Sequence, residues 1–335
     1  MSSKIPNVNR RSLLKWTAGA AAVSIAGGAA ARSAGAAGKG GLATLIDLSL
    51  CDGCVGKEIP ACVAACKAIN LDTIPPISEP IPEPWPRPKA IEDWSRKKEI
   101  VDRLTPYNYL YVHKADIDMD GRRQTLYIPR RCMHCDNPAC ATICPFSANH
   151  KYENGAVVID QNLCFGGAKC KAVCPWEIPQ RQSGVGVYLH VLPGLMGNGV
   201  MYKCDLCAGR LAEGKTPGCI EACPRQAMLI GPRAEIERQA DERVRKMNGF
   251  LYGRKENGGT ATLYVSPVSF ERIDSTMVKG PGRPSMTPGL ERRMADTDPL
   301  GKAVLAAPVL GLAVGAFGWF AGRRGKIQKG EKGNG

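Results

Sequence analysis

The chain has 335 residues, of which 44% are apolar and only 6% aromatic, and a formal net charge of +14. That length suits one large or two small packed domains with appendages, with few aromatic side chains to share among their cores. Lys4, Arg10, Arg11, Lys15 and Arg32 precede residue 37 with no acid among them, and Arg323, Arg324, Lys326, Lys329 and Lys332 crowd the other end against Glu331 alone. A basic excess gathered at the two ends speaks for targeting and topology and against a nucleic-acid binder.

In chain order, Arg10-Arg11-Ser12-Leu13-Leu14 is a twin-arginine motif followed by an apolar stretch, Trp16 to Gly28, and an A-x-A site at Ala34-Gly35-Ala36. Residues 1–36 are therefore expected to be an export signal. A strand at Leu42 to Leu48 leads to a first cysteine group within residues 37–71. Residues 72–103, rich in proline from Pro75 to Pro88, are expected to be an extended linker over the surface or an arm for a partner. Tyr107 to Val112 and Gln124 to Ile128 are predicted to pair as a hairpin around Met119-Asp120-Gly121. A second group follows, then a strand at Gly155 to Asp160, a third group, a Gly-rich loop from Gly184 to Gly199, and a fourth group ending in a strand at Ala227 to Ile230. This region, 104–232, is the expected cysteine-bearing body. In the extension 233–299, Arg233 to Met247 has the spacing of a solvated surface helix and Thr260 to Val265 that of a strand. Ala303 to Gly322 is uncharged and long enough to cross a bilayer. The sequence therefore predicts a transmembrane helix at 300–323 and a cytoplasmic basic tail at 324–335.

The cysteines carry the chemistry. Fifteen of them fall in four groups: Cys51-x2-Cys54-x7-Cys62-x3-Cys66, Cys132-x2-Cys135-x4-Cys140-x3-Cys144, Cys164-x5-Cys170-x3-Cys174 and Cys204-x2-Cys207-x11-Cys219-x3-Cys223. Pro145, Pro175 and Pro224 follow the last cysteine of three of them. Close thiolates that hold one cubane, with a last cysteine reaching to a neighbouring cluster, are the ligand pattern of bacterial ferredoxins. The alternation of strand and cysteine group implies two ferredoxin-like units, each with two clusters. Paired C-x2-C groups also suit zinc and exported cysteines suit disulfides, but the Cys-Pro endings favour iron–sulfur. In group three Gly167 stands where a ligand is expected, leaving Cys164 and Cys170, and a three-thiolate site implies a [3Fe-4S] cluster or a [4Fe-4S] cluster with another fourth ligand. His134, inside group two, reads first as a side chain on the surface or beside the ligands and second as a tuner of potential. No nucleophile–base pair, H-E-x-x-H or Walker loop is present, so the chain is not expected to be an enzyme by itself.

The four-group layout, Cys132-Met133-His134-Cys135, Leu104-Thr105-Pro106-Tyr107 and Pro217-Gly218-Cys219 resemble the HybA-type four-cluster subunit of periplasmic [NiFe]-hydrogenase complexes, from about Leu42 to Val265. Formate dehydrogenase and nitrate reductase beta subunits are more distant relatives. The resemblance implies an α+β fold of two tandem ferredoxin-like dicluster units with small antiparallel sheets. It also implies the pairing of groups. One [4Fe-4S] cluster takes Cys51, Cys54, Cys62 and Cys223. A second takes Cys204, Cys207, Cys219 and Cys66, and a third takes Cys132, Cys135, Cys140 and Cys174. The three-ligand site takes Cys164, Cys170 and Cys144. The chain departs from the family in the x7 gap before Cys62 and in Gly167, where nitrate reductase beta subunits also lack the cysteine.

These readings predict an electron-transfer subunit in the cytoplasmic membrane, with a single C-terminal helix and a periplasmic body exported by the twin-arginine route. Its expected partners are a catalytic subunit and an integral membrane quinone-reactive subunit, and through the latter the menaquinone or ubiquinone pool. The catalytic partner is expected to be a [NiFe]-hydrogenase. The alternatives are a molybdenum or tungsten enzyme of the formate dehydrogenase kind, a quinone reductase complex, and a zinc-bound structural protein.

Overall fold

The computed structural model describes residues 41–84, 90–119, 121–191 and 198–295 of the chain. Strand β1, Leu42–Asp47, is buried along nearly its whole length because it is covered on both faces. Successive side chains on a strand point to opposite sides. Ala43 and Leu45 accordingly pack beneath a helix, while Ile46 joins the cysteine-rich core. After helix α1 (Ala61–Asn70) comes a hairpin, β2 (Tyr111–Met119) with β3 (Arg122–Arg130). Three short pieces follow, namely helix α2 (Ala139–Thr142), strand pair β4 (Asn149–Lys151) and β5 (Val157–Ile159), and helix α3 (Lys169–Val173). Strand β6 (Gln180–Gln182), helix α4 (Val187–Val191) and strand β7 (Val200–Tyr202) lead to helices α5 (Ala208–Ala212) and α6 (Gly218–Glu221). The chain then forms β8 (Met228–Pro232), the long helix α7 (Arg233–Met247), β9 (Phe250–Tyr252), β10 (Thr262–Ser266) and α8 (Phe270–Thr276).

The largest sheet has the order β8-β1-β10-β9, with β1 antiparallel to β8 and parallel to β10. The first strand is thus held between strands that follow the last cysteine group. Two-stranded sheets β2–β3, β4–β5 and β6–β7 complete an α+β fold of tandem ferredoxin-like units.

Several elements differ from the sequence expectation. The hairpin starts later than predicted: the apolar run at Tyr107–Leu110 is buried as irregular chain, and the alternation of buried His113, Ala115 and Ile117 with exposed Lys114 and Asp118 forms the strand. Helix α7 spans the predicted residues but is not merely solvated, since Ile236 and Ala240 pack on Ala43, Leu45, Leu263 and Val265. The extension beyond it is built into the body. Arg130 donates to the Ser285 carbonyl at 2.6 Å, and the Trp176 indole N–H donates to the Tyr252 hydroxyl at 2.8 Å. The proline-rich arm is clamped as well. Arg181 pairs with Glu92 at 2.7 Å, and the Trp94 amide donates to Gln182 at 2.8 Å.

One expectation is overturned. Among the described residues no helix is long and apolar enough to cross a membrane. Residues 300–323, on which the reading of a membrane-held chain rested, lie outside the described residues, as does the segment 1–36 read as an export signal. The location in the cytoplasmic membrane through a single C-terminal helix is therefore without support.

Candidate functional site

Each cysteine group folds as the same local device. The residue two places after the first cysteine is left-handed: Gly53 (φ 67°), His134 (φ 49°), Gly166 (φ 62°) and Leu206 (φ 61°). That turn swings its N–H back onto the first sulfur. His134 N lies 3.5 Å from Cys132 Sγ, and Leu206 N lies 3.5 Å from Cys204 Sγ. The Gly53 and Gly166 amides act likewise on Cys51 and Cys164, though burial is the larger influence and raises both thiols. The third cysteine (the second in group three, which has Gly167 in place of one) is the second residue of a helix: Cys62 in α1, Cys140 in α2, Cys170 in α3 and Cys219 in α6. Pro60, Pro138 and Pro217 stand just before three of these helices, where the missing N–H costs nothing. Proline after the last cysteine of groups two, three and four ends the turn. The next left-handed residues, Ser147, Glu177 and Gln226, donate back to the carbonyls of Cys144, Cys174 and Cys223 at 3.2, 3.0 and 3.2 Å.

The groups come together across the chain. Cys51, Cys54, Cys62 and Cys223 ring one cavity of about 330 Å³, counted with its open mouth. Cys66, Cys204, Cys207 and Cys219 ring a second of about 300 Å³, and Cys132, Cys135, Cys140 and Cys174 a third of about 290 Å³. Cys144, Cys164 and Cys170 form a fourth neighbourhood. Cys164 there is raised chiefly by burial and also by the charge of Cys144, and Cys170 is pushed up to about 12 by burial and by Cys140 and Cys164. Gly167 beside them is exposed, and a Cβ built on it meets no atom within 4 Å. Charge repulsion also links the sites in a row: Cys62 feels Cys219, Cys204 feels Cys132, and Cys170 feels Cys140.

Burial makes these thiols hard to ionise unless positive charge compensates. Cys51, Cys140 and Cys207 are pushed up to about 11, and Cys174 and Cys204 to about 12. Compensation comes in part from two buried cations. Arg131 donates to Thr44 Oγ1 at 2.6 Å and lies 4.0 Å from Cys204 Sγ. Lys203 Nζ donates to the carbonyls of Val157 and Cys204. Burial works against both charges, yet nearby thiolates outweigh it and hold each cation protonated. Both residues directly precede the first cysteine of a group, a signal legible in the sequence. Side-chain amides add donors that no sequence signal marked: Asn257 Nδ2 to Cys135 Sγ at 3.3 Å and Asn70 Nδ2 to Cys66 Sγ at 3.6 Å. His134 is fully buried and not on the surface. Burial, then Lys203, Arg131 and Lys151, hold its ring well below the usual histidine range and therefore neutral.

Four soft sulfur donors around each of these cavities, with N–H groups aimed at the sulfurs, fit iron–sulfur clusters. Among the described residues no three His, Cys, Asp or Glu side chains converge closely enough to hold a single metal ion.

Two family models, each described as a 4Fe-4S dicluster domain, match residues 50–148 and 123–233. The hydrogenase-2 operon protein HybA of Escherichia coli O157:H7 is 30% identical over 270 residues, covering 70% of this chain and 73% of its own length. This chain belongs to the HybA family. The nitrate-inducible formate dehydrogenase iron-sulfur subunit of Escherichia coli K12 is 30% identical over 236 residues, 68% of each chain. The probable anaerobic dimethyl sulfoxide reductase component YnfG of the same strain is 40% identical over 113 residues, 34% of this chain and 49% of its own length. The chain is thus an iron–sulfur electron-transfer subunit of the kind found in oxidoreductase complexes, carrying multiple [4Fe-4S] clusters.

Proposed function

We propose that this chain carries electrons between a catalytic subunit, foremost a [NiFe]-hydrogenase, and a quinone-reactive membrane subunit. In this reading three [4Fe-4S] clusters are held by Cys51, Cys54, Cys62 and Cys223, by Cys66, Cys204, Cys207 and Cys219, and by Cys132, Cys135, Cys140 and Cys174. A [3Fe-4S] cluster is held by Cys144, Cys164 and Cys170. Bound clusters supply one-electron storage at potentials set by charge, hydrogen bonds and exposure. The protein's part is to aim the Gly53, His134, Gly166 and Leu206 amides at sulfur, to set Arg131 and Lys203 against thiolate charge, and to exclude water. The observation that carries the reading is the ringing of three cavities by four cysteines each, from groups far apart in sequence. The row of neighbouring sites supports a wire with its ends at Cys51/Cys54 and at Cys164/Cys170. The cluster-bearing body is residues 37–71 and 104–232, tied by the arm 72–103.

Hydrogenase as the catalytic partner is favoured by the operon named for HybA. The formate dehydrogenase relative supports the second reading, a molybdenum or tungsten partner. Metal analysis of the complex captured through this chain separates them. Nickel near one per chain is expected, and molybdenum or tungsten without nickel would discard the hydrogenase reading. Iron and acid-labile sulfide in the chain itself test the ligand sets, and a colourless, zinc-containing protein would reject them.

A further inference from the structure

Between the Cys66/Cys204/Cys207/Cys219 cavity and the Cys132/Cys135/Cys140/Cys174 cavity, His134 contacts a sulfur of each. Its backbone N–H donates to Cys132 Sγ at 3.5 Å, in the second of these cavities. Its ring Nδ1 accepts from the Val157 amide at 3.0 Å, so the ring proton sits on Nε2. That Nε2 lies 3.6 Å from Cys204 Sγ, in the first cavity, and can only donate. The left-handed backbone of His134 and full burial fix both contacts at once. At the same position in group four stands Leu206, with φ 61° and the same backbone N–H to sulfur, but with no ring to reach a second site.

We propose that His134 is a positioning residue that bridges the two middle clusters. Its ring N–H raises the potential of the cluster bound through Cys204, and its atoms form the short route from Cys132 to Cys204. A donor to a thiolate sulfur stabilises the reduced, more negative cluster and so moves its potential upward. Arg131 and Lys203 add positive charge nearby, but neither touches sulfurs of both cavities.

This inference rests on the ligand sets proposed above, and the test separates the two. His134→Leu removes the ring donor at a backbone position that Leu206 shows leucine can occupy. His134→Gln keeps a side-chain N–H of similar reach. Iron content and potentiometric EPR titration are measured on the whole chain purified in its complex. The Cys204 cluster is assigned by its loss in Cys207→Ala. The expected result is full iron in His134→Leu, a downward shift of that cluster's midpoint alone, and recovery in His134→Gln. Full iron with all midpoints unchanged overturns the bridge. If His134→Leu loads poorly, pulsed EPR on the unmodified chain labelled with ¹⁵N-histidine decides. A nitrogen coupling on the reduced Cys204 cluster is expected, and its absence overturns the proposal. An unmodified chain without iron or labile sulfide would instead reject the ligand sets.

Discussion

Gly167 occupies the place at which the other three groups carry their second cysteine, and the space around it is open. Gly167→Cys is therefore expected to fold and to supply a fourth thiolate to the Cys144, Cys164 and Cys170 site. Iron should rise by about one per chain, and the three-iron EPR signal of the oxidised protein should disappear. No change in either measurement would show that this site does not hold a three-iron cluster. Asn257 offers a second test. Its amide donates to Cys135 Sγ, while its own carbonyl oxygen accepts from the Arg293 amide. Asn257→Leu should lower the midpoint of the Cys132/Cys135/Cys140/Cys174 cluster and leave the others in place, as read by EPR titration. At this scale the sequence was legible where spacing encodes contact. The cysteines announce themselves at short intervals, and Arg131 and Lys203 stand next to them. Asn257 was not legible, because it comes from a segment 122 residues away from the sulfur that it touches. His134 was half legible: its place between two cysteines was plain, whereas its burial depends on Val157 and Cys204.

The elements show which patterns survive translation into structure. Arg233–Met247 formed the predicted helix because its 3.6-residue rhythm was long enough to read. Strands β4, β6, β7 and β9 did not stand out, since three residues are too few to display alternation, whereas β5, as short, was marked by its β-branched run Val157–Ile159. Gly199 shows how tightly these small pieces meet. Its φ is +80°, and an added Cβ would lie 1.8 Å from the Gln182 carbonyl. Gly199→Ala should cost on the order of 3 kcal/mol, visible as faster bleaching of cluster absorbance in denaturant. At the other end of the fold, Asp274 ties down the segment after α8. It accepts from the Met286 amide at 2.7 Å and from Thr287 and Lys279 at 3.0 Å. Burial opposes its charge, but these donors prevail and hold the carboxyl below its usual 3.8. Its contribution to stability is accordingly full above about pH 4 and is lost as the pH falls through the lowered folded value. The protection factor of the Met286 amide, its exchange rate relative to an unprotected amide at the same pH, should be flat from neutrality down to that point and fall only below it. A fall beginning near pH 6 would assign the segment's stability to another group.

Across the whole molecule, the cysteines are built into the main core beside its aromatic residues, among them Tyr109, Tyr111, Trp176 and Tyr202. The largest buried group mixes Cys62, Cys66, Cys132, Cys164, Cys204 and Cys219 with Leu48, Val63, Leu104 and Ile128. Without metal, buried thiols face one another across the cavities with no cluster to hold them together, and Arg131 and Lys203 keep their buried charge beside thiols that no longer carry the opposite one. Chelation of iron under reducing conditions is expected to abolish cooperative thermal unfolding and the slow exchange of amides in β1. Retention of both would mean that the protein scaffold is self-sufficient. The tandem organisation was legible from the alternation of strand and cysteine group, and the α+β class from the family resemblance. The order β8-β1-β10-β9 was not, because pairing between chain ends leaves no local mark in the sequence.

That pairing also sets a timetable. A chain made from its N-terminus has Cys144, Cys164 and Cys170, and then Cys132, Cys135, Cys140 and Cys174, in hand early, so those two sites can close first. Cys51, Cys54 and Cys62 must wait for Cys223, and Cys66 for Cys204, Cys207 and Cys219. Strand β1 in turn waits for Thr262–Ser266. The oldest thiols of the growing chain are thus the last to be covered, and they are the ones most open to oxidation until synthesis has passed residue 266.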